Sequence, residues 1–184
     1  MKDLNASARP RGLTLVELLS TLAVALLLLA VGIPGWAQLT RGNAVNTERN
    51  HMMATLARAR HSAVHLQHYV TICPSIDQEN CLADHTVWHE GYMVFVDKDG
   101  DRKLEDEDRL LQVSQPNKKG LAMHTSTGRK TIRFNPLGTS GSSLTMSFCA
   151  KDNAEQNKAV ILHGAGRARL SDTRPDGTAV RCNS

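Results

Sequence analysis

Aromatic residues are scarce, at 4% of 184 positions. Recognition of nucleic-acid bases by stacking on a platform of rings is therefore not expected. The four cysteines, Cys73, Cys81, Cys149 and Cys182, never fall in a CxxC pair, so the paired spacing of a structural zinc site is missing. There is no strained nucleophile turn, phosphate-cradling glycine loop or pair of catalytic acids. Ser142 and Ser143 have no recognisable base partner. The chain reads as a non-enzyme with no cofactor and no metal, and it contains no internal repeat.

Charge is absent from residues 18–40, a run of 23 positions. That is long enough to cross a bilayer as a helix. Residues 1–12 hold three basic and one acidic side chain, net +2, so the N-terminus should stay cytoplasmic. An ordinary signal peptide is cut after its apolar core, at a small-residue site. Here the candidate processing residue, Gly12, precedes the core, so the apolar helix would remain in the mature chain. Glu17 stands almost at the start of that segment. A carboxylate in a membrane is costly and usually has a partner. Pro34, with Gly32 and Gly35, should kink or loosen the helix.

Beyond this segment the charge divides unevenly. Residues 13–116 carry eight basic and thirteen acidic side chains, net −5, and residues 117–184 carry eleven basic and four acidic, net +7. A basic last third suits a polyanion or an acidic protein partner. An even cysteine count in an exported chain favours disulfides. The expected bonds are Cys73–Cys81, closing a short loop, and Cys149–Cys182, tying down the tail.

The stretch after Trp36 stays helix-compatible, because Val45, Met52, Leu56, Ala59, Ala63 and Leu66 recur at helical steps. One helix is expected to about His68. Short apolar or alternating runs follow at 69–73, 92–96, 109–113, 121–125, 131–134, 144–149, 159–163 and 167–171, separated by turn residues. They predict antiparallel strands. The fold class is α+β, a long helix followed by a β-sandwich-like head. Four segments result: a leader at 1–12, a membrane or filament-core half-helix at 13–37, an amphipathic half-helix at 38–68, and a β-rich head at 69–184. Residues 138–143 (GTSGSS) read as a flexible loop.

Three constellations stand out in the head region. DKDGDRKLEDED, residues 97–108, suggests a calcium loop through Asp97, Asp99 and Asp101. An EF-hand loop has glycine directly after the third ligand, where this chain has Arg102. A solvated acidic hairpin is the expectation. His61, His65 and His68 should share a helix face, but no acid or cysteine nearby completes a metal site. In HGAGRARLSDTRPDGTAVRC, a glycine turn leads into Arg167 and Arg169, alternate positions of a strand that point to one face. Two forked cations on a stiff strand suit two phosphates of one nucleic-acid strand. Lys151, Lys158, Arg174 and Arg181 extend the patch. Binding would be electrostatic, sequence-nonspecific and salt-sensitive.

RGLTLVEL, the uninterrupted apolar run, the stretch from ICPSIDQENC to DRLLQV and the GRAR at 166–169 together resemble the FimT/GspH group of type IV minor pilins and type II secretion pseudopilins. Leu13 departs from the phenylalanine more frequent in that family. The resemblance implies cleavage after Gly12 by a prepilin peptidase and methylation of the new N-terminus at Leu13. It also implies a role for Glu17 in pairing with a neighbouring pilin's N-terminus. The head would be periplasmic on an inner-membrane helix, then displayed on a pilus among major and minor pilins. The Gly-Arg-x-Arg match implies a FimT-type pilin that binds double-stranded DNA in natural transformation. The alternative is a structural, priming minor pilin of the FimU kind or the H pseudopilin, without DNA binding.

Overall fold

A computed structural model describes residues 14–116, 120–150 and 154–182, with backbone alone over 33–42. Helix α1 (Leu15–Leu66) comes first. It is followed by β1 (Tyr69–Pro74), β2 (Tyr92–Asp97), β3 (Arg109–Ser114), β4 (Leu121–Thr125), β5 (Ile132–Phe134), β6 (Leu144–Ala150), β7 (Lys158–Leu162) and β8 (Ala168–Ser171). All the strands expected from sequence are present, with ends displaced by one residue at most. The chain divides into two units, residues 1–40 and 41–184.

In the first unit Thr14 caps α1. Its hydroxyl accepts a hydrogen bond from the Glu17 amide at 3.3 Å, and its carbonyl accepts one from Leu18 at 3.1 Å. A threonine at this place satisfies amides that the helix itself cannot. The window Leu15–Gly32 has mean hydropathy 2.4 and is 0% buried. Its 18 residues span about 27 Å as a helix, close to the thickness of a bilayer core. The helical backbone continues through Pro34, so the expected loosening does not interrupt it.

In the second unit the rest of α1 lays Val45, Met52, Leu56, Ala59 and Ala63 into the core. Those steps of three, four and seven residues keep one face inward. Met52 and Leu56 are 0% and 2% exposed, and burying each contributes about 1.5–3 kcal/mol. The strands form two antiparallel sheets, ordered β3-β2-β1-β5 and β4-β6-β7-β8. The helix stripe meets Val70, Ile72, Val94 and Phe134 of the first sheet, and Met123, Met146, Phe148, Val160 and Leu162 of the second. Alternate residues supply this face, as the two-residue period of a strand requires. On its other face the first sheet packs Cys73, Met93 and Phe95 against Cys81 and Leu104.

Both expected disulfides are present, with Cα atoms 5.4 Å apart for Cys73–Cys81 and 6.0 Å for Cys149–Cys182. Three expectations change. The helix stops at Leu66, and Gln67 takes a left-handed φ of 56°. His68 therefore lies beyond the helix, and only His61 and His65 share its face, with ring centroids 6.0 Å apart. The loop at 138–143 is anchored rather than free: the Arg60 Nε donates to the Gly138 carbonyl at 2.9 Å, and the Ser140 amide to the Gly164 carbonyl at 3.0 Å. The acidic hairpin is not wholly solvated, because Asp97 is 0% exposed.

Candidate nucleic-acid interface

The candidate surface is built on the β7–β8 hairpin at the edge of the second sheet. Its turn is closed by two backbone bonds, Gly166 N to His163 O at 2.8 Å and His163 N to Arg167 O at 2.9 Å. Gly166 has φ +80°, and a Cβ there would overlap the Gly138 carbonyl and approach Arg60 Nε to 3.2 Å. Only glycine fits this backbone without strain. The glycine of the GRAR stretch thus has a folding role independent of any ligand.

Arg167 ends this turn rather than beginning the strand, and it is exposed. It lines a groove with Met53, Ala57, His61 and Val64 of α1. Arg169 lies in β8, exposed, with its Nη1 3.4 Å from Ser171 Oγ. Its register row runs through Ile161 to Thr145, so it lies on the face away from α1, whereas Arg167 sits in the turn beside the α1 groove. The expectation that both are strand residues sharing one face is not met. Among the described residues neither guanidinium has a carboxylate partner.

The tail returns along that same outer face. The Thr173↔Ala179 bridge and the Arg174 amide bond to Thr178 O at 2.8 Å shape a turn. The Cys149–Cys182 bond holds the turn's end beside β6. Arg174 and Arg181 share a hollow of about 430 Å³ with His124, Thr145 and Ser147. Arg174 Nη2 is 3.4 Å from the Arg181 carbonyl. Asp176 opens into the same hollow, held ionised by the Thr178 hydroxyl and amide and by the charge of Arg174.

Lys158 stands apart. It begins β7, roughly 13 Å along the strand from the turn end. There its Nζ is 3.2 Å from Asp172 Oδ1, which also receives Arg49 Nη1 of α1 at 3.0 Å. The hydrogen bond from Lys158, its charge, and then Arg49 lower the Asp172 pKa. With two cations shared by one carboxylate, Lys158 is already partly neutralised. Lys151 lies outside the described residues, as do Gly12 and Leu13. Glu17 is described and exposed, and its amide completes the helix cap.

One basic surface has no counterpart among the sequence expectations. Arg102 from the β2–β3 loop and Arg129, Lys130 and Arg133 from the β4–β5 region line a hollow of about 390 Å³. Ser140, Gly141 and Ser142 form its other wall. This serine-glycine loop also touches Gly164 of the β7–β8 turn. The hollow and the Arg167 turn therefore flank one loop. The GRK triplet at 128–130 is the available signal, but a short basic turn by itself is ordinary.

A family model described as type II transport protein GspH matches residues 48–166. The match ends just before Arg167, so it covers the helix from residue 48, strands β1 to β7 and most of the β7–β8 turn, but neither β8 nor the two arginines. No curated protein matches the chain. Two crystal structures of the type IV minor pilin FimU of Pseudomonas aeruginosa (strain PAO1), in space groups P21 and P65, are similar, with TM-scores of 0.58 and 0.55. Each is 19% identical to this chain; they cover 78% and 74% of it and 97% of the FimU chain. At that identity the likeness is one of fold. By the family match over most of its head, with an N-terminal apolar helix and a two-sheet antiparallel domain, the chain belongs to the GspH family and has the pilin fold.

Proposed function

We propose that this chain is a minor pilin of a type IV pilus that binds extracellular double-stranded DNA and supports its uptake in natural transformation. In this reading a prepilin peptidase cuts after Gly12. The inner membrane holds α1 until assembly, and Glu17 pairs with the new N-terminus of a neighbouring pilin. The head then meets DNA with Arg167 and Arg169, supported by Arg174 and Arg181. Lys151 and Lys158 would contribute at the margin.

The observation that carries the DNA reading is that Arg167 and Arg169, at the turn and on the strand of one hairpin, are both exposed and have no carboxylate partner among the described residues. Arg49 and Lys158, by contrast, share Asp172. Forked cations free to meet phosphates, with little aromatic surface beside them, favour backbone contacts over base reading. The likeness to FimU favours a second reading, a structural minor pilin or pseudopilin whose basic edge meets an acidic neighbour.

Cells carrying R167Q/R169Q as their sole copy separate the two. DNA uptake should fall severalfold while the variant still enters sheared pili in normal amount. Unchanged uptake with normal piliation would shift the role to assembly alone.

A further inference from the structure

We propose that the β2–β3 loop binds a calcium ion through the carboxylates of Asp97, Asp99 and Asp101. One oxygen from each of the three lies within 4.8 Å of the others. Oxygens bound to a single calcium at about 2.3–2.6 Å can be no more than about 5 Å apart. The three are thus already close enough to share one ion.

The buried end of this cluster supplies an independent reason. Asp97 is 0% exposed at the end of β2. Its Oδ2 accepts hydrogen bonds from Thr71 Oγ1 at 2.7 Å and from the Arg102 amide at 3.2 Å. Its Oδ1 is sealed from water and has no hydrogen-bond partner among the described residues. A buried carboxylate oxygen without a donor is unfavourable, and a hard cation satisfies it with the chemistry such an ion prefers. Burial, with the charge of Asp108 acting in the same direction, raises the Asp97 pKa; the Thr71 hydroxyl and the nearby Gly100 and Arg102 amides oppose this, the Gly100 amide without reaching Oδ1 in hydrogen-bond geometry.

The backbone also removes the objection raised by the sequence. In a calcium loop the residue after the third ligand is glycine because the turn there is sharp. Arg102 occupies that place with φ +72° and donates its amide to the first ligand, Asp97. It takes the left-handed conformation without being glycine. The loop is held in this shape from both sides. Arg133 Nη1 donates to the Gly100 carbonyl, and Asp108 accepts from the Lys98 and Glu105 amides at 3.0 and 3.2 Å. Asp108 ties the loop ends, leaving backbone carbonyls and water to complete the coordination.

Cations stand nearby: Lys103 Nζ is 3.3 Å from Asp101 Oδ2, and Arg102 and Arg133 line the adjoining hollow. Against them, residues 97–108 carry seven acids and three bases. This balance points to the weak range of extracellular calcium modules, about 0.1–1 mM. Asp99 and Asp101 are exposed and can adjust, which suits calcium better than the stricter octahedron of magnesium.

The test uses the full chain in detergent, stripped of metal by a chelator and then dialysed. Thermal unfolding is followed against added calcium chloride, with magnesium chloride as the control. The midpoint should begin to rise once calcium exceeds about 0.1–1 mM and then climb by a few degrees with the logarithm of its concentration, with a smaller response to magnesium. D99N/D101N should keep the metal-free midpoint, because asparagine oxygens still accept the local amides, and should lose the calcium-dependent rise. D97N, which can still accept from Thr71, should lose it too. No rise in the folded wild type, an equal rise with magnesium, or a rise retained in D99N/D101N would overturn the proposal.

Discussion

Replacing Gly166 by alanine tests the account of the basic turn apart from any ligand. The residue has φ +80°, where an L side chain costs about 1–2 kcal/mol. The new Cβ would also overlap the Gly138 carbonyl, whose loop is held by Arg60. Forcing a packed contact apart costs about 1–3 kcal/mol more. Gly177 is the control, because it has φ +81° and nothing within 4 Å of where an added methyl would stand. It should show the conformational cost alone. Urea unfolding of the head followed by circular dichroism reads both. With a slope near 2–3 kcal/mol per molar, Gly166→Ala should lower the midpoint by about 1–2 M, and Gly177→Ala by about 0.5 M. Equal midpoints for the two variants would refute the close approach of the two loops.

Leu56→Ala should cost about 2–5 kcal/mol in the same unfolding assay, because the side chain is 2% exposed between α1 and the sheets. Cys182→Ser opens a 33-residue separation closed to Cys149; loop entropy alone predicts a loss of about 4 kcal/mol, read as a lower urea midpoint under oxidising conditions. Asp172→Asn removes the carboxylate shared by Arg49 and Lys158. Since that side chain is 69% exposed, solvent screening limits the cost to less than about 1 kcal/mol at pH 7. Its pKa is lowered in the fold, so the contribution is present above the ordinary 3.8 and lost as pH falls through the lower native value. Wild type and Asp172→Asn should therefore converge in stability in acid. Glu17→Gln should reduce incorporation into pili, read from sheared filaments, while leaving DNA binding by the head unchanged.

What the sequence made legible was local. The helix face from Val45 to Ala63 and the strand alternation around Ile72, Met123 and Met146 are repeated patterns of three to four residues or two. They do not depend on distant partners. Placement across the chain was hidden. In the sequence Lys158 looks like part of a basic patch, but Asp172 and Arg49, 123 residues apart, meet it at the opposite end of the hairpin. Arg102 of the β2–β3 loop, Arg129 and Lys130 of the β4–β5 loop and Arg133 of β5 meet only in the folded head. In the Asp97 loop the identity of Arg102 argues against a calcium turn, whereas its backbone takes the left-handed angle ordinarily left to glycine. Glu17 reads as a partner-seeking acid, and its amide also belongs to a helix cap made by Thr14.

The central claim is that the exposed arginines of the β7–β8 hairpin bind DNA phosphates. It is tested most directly by duplex binding to the head, residues 41–184, across a salt series. The head has its own core, so it can be compared with R167Q/R169Q at equal foldedness. Two to four phosphate contacts predict a slope of log affinity against log salt of about −2 to −4. The double variant should bind severalfold more weakly at low salt, with a slope shallower by about 2. A folded wild-type head that does not bind duplex at low salt, or a double variant with unchanged affinity and slope, would contradict the account.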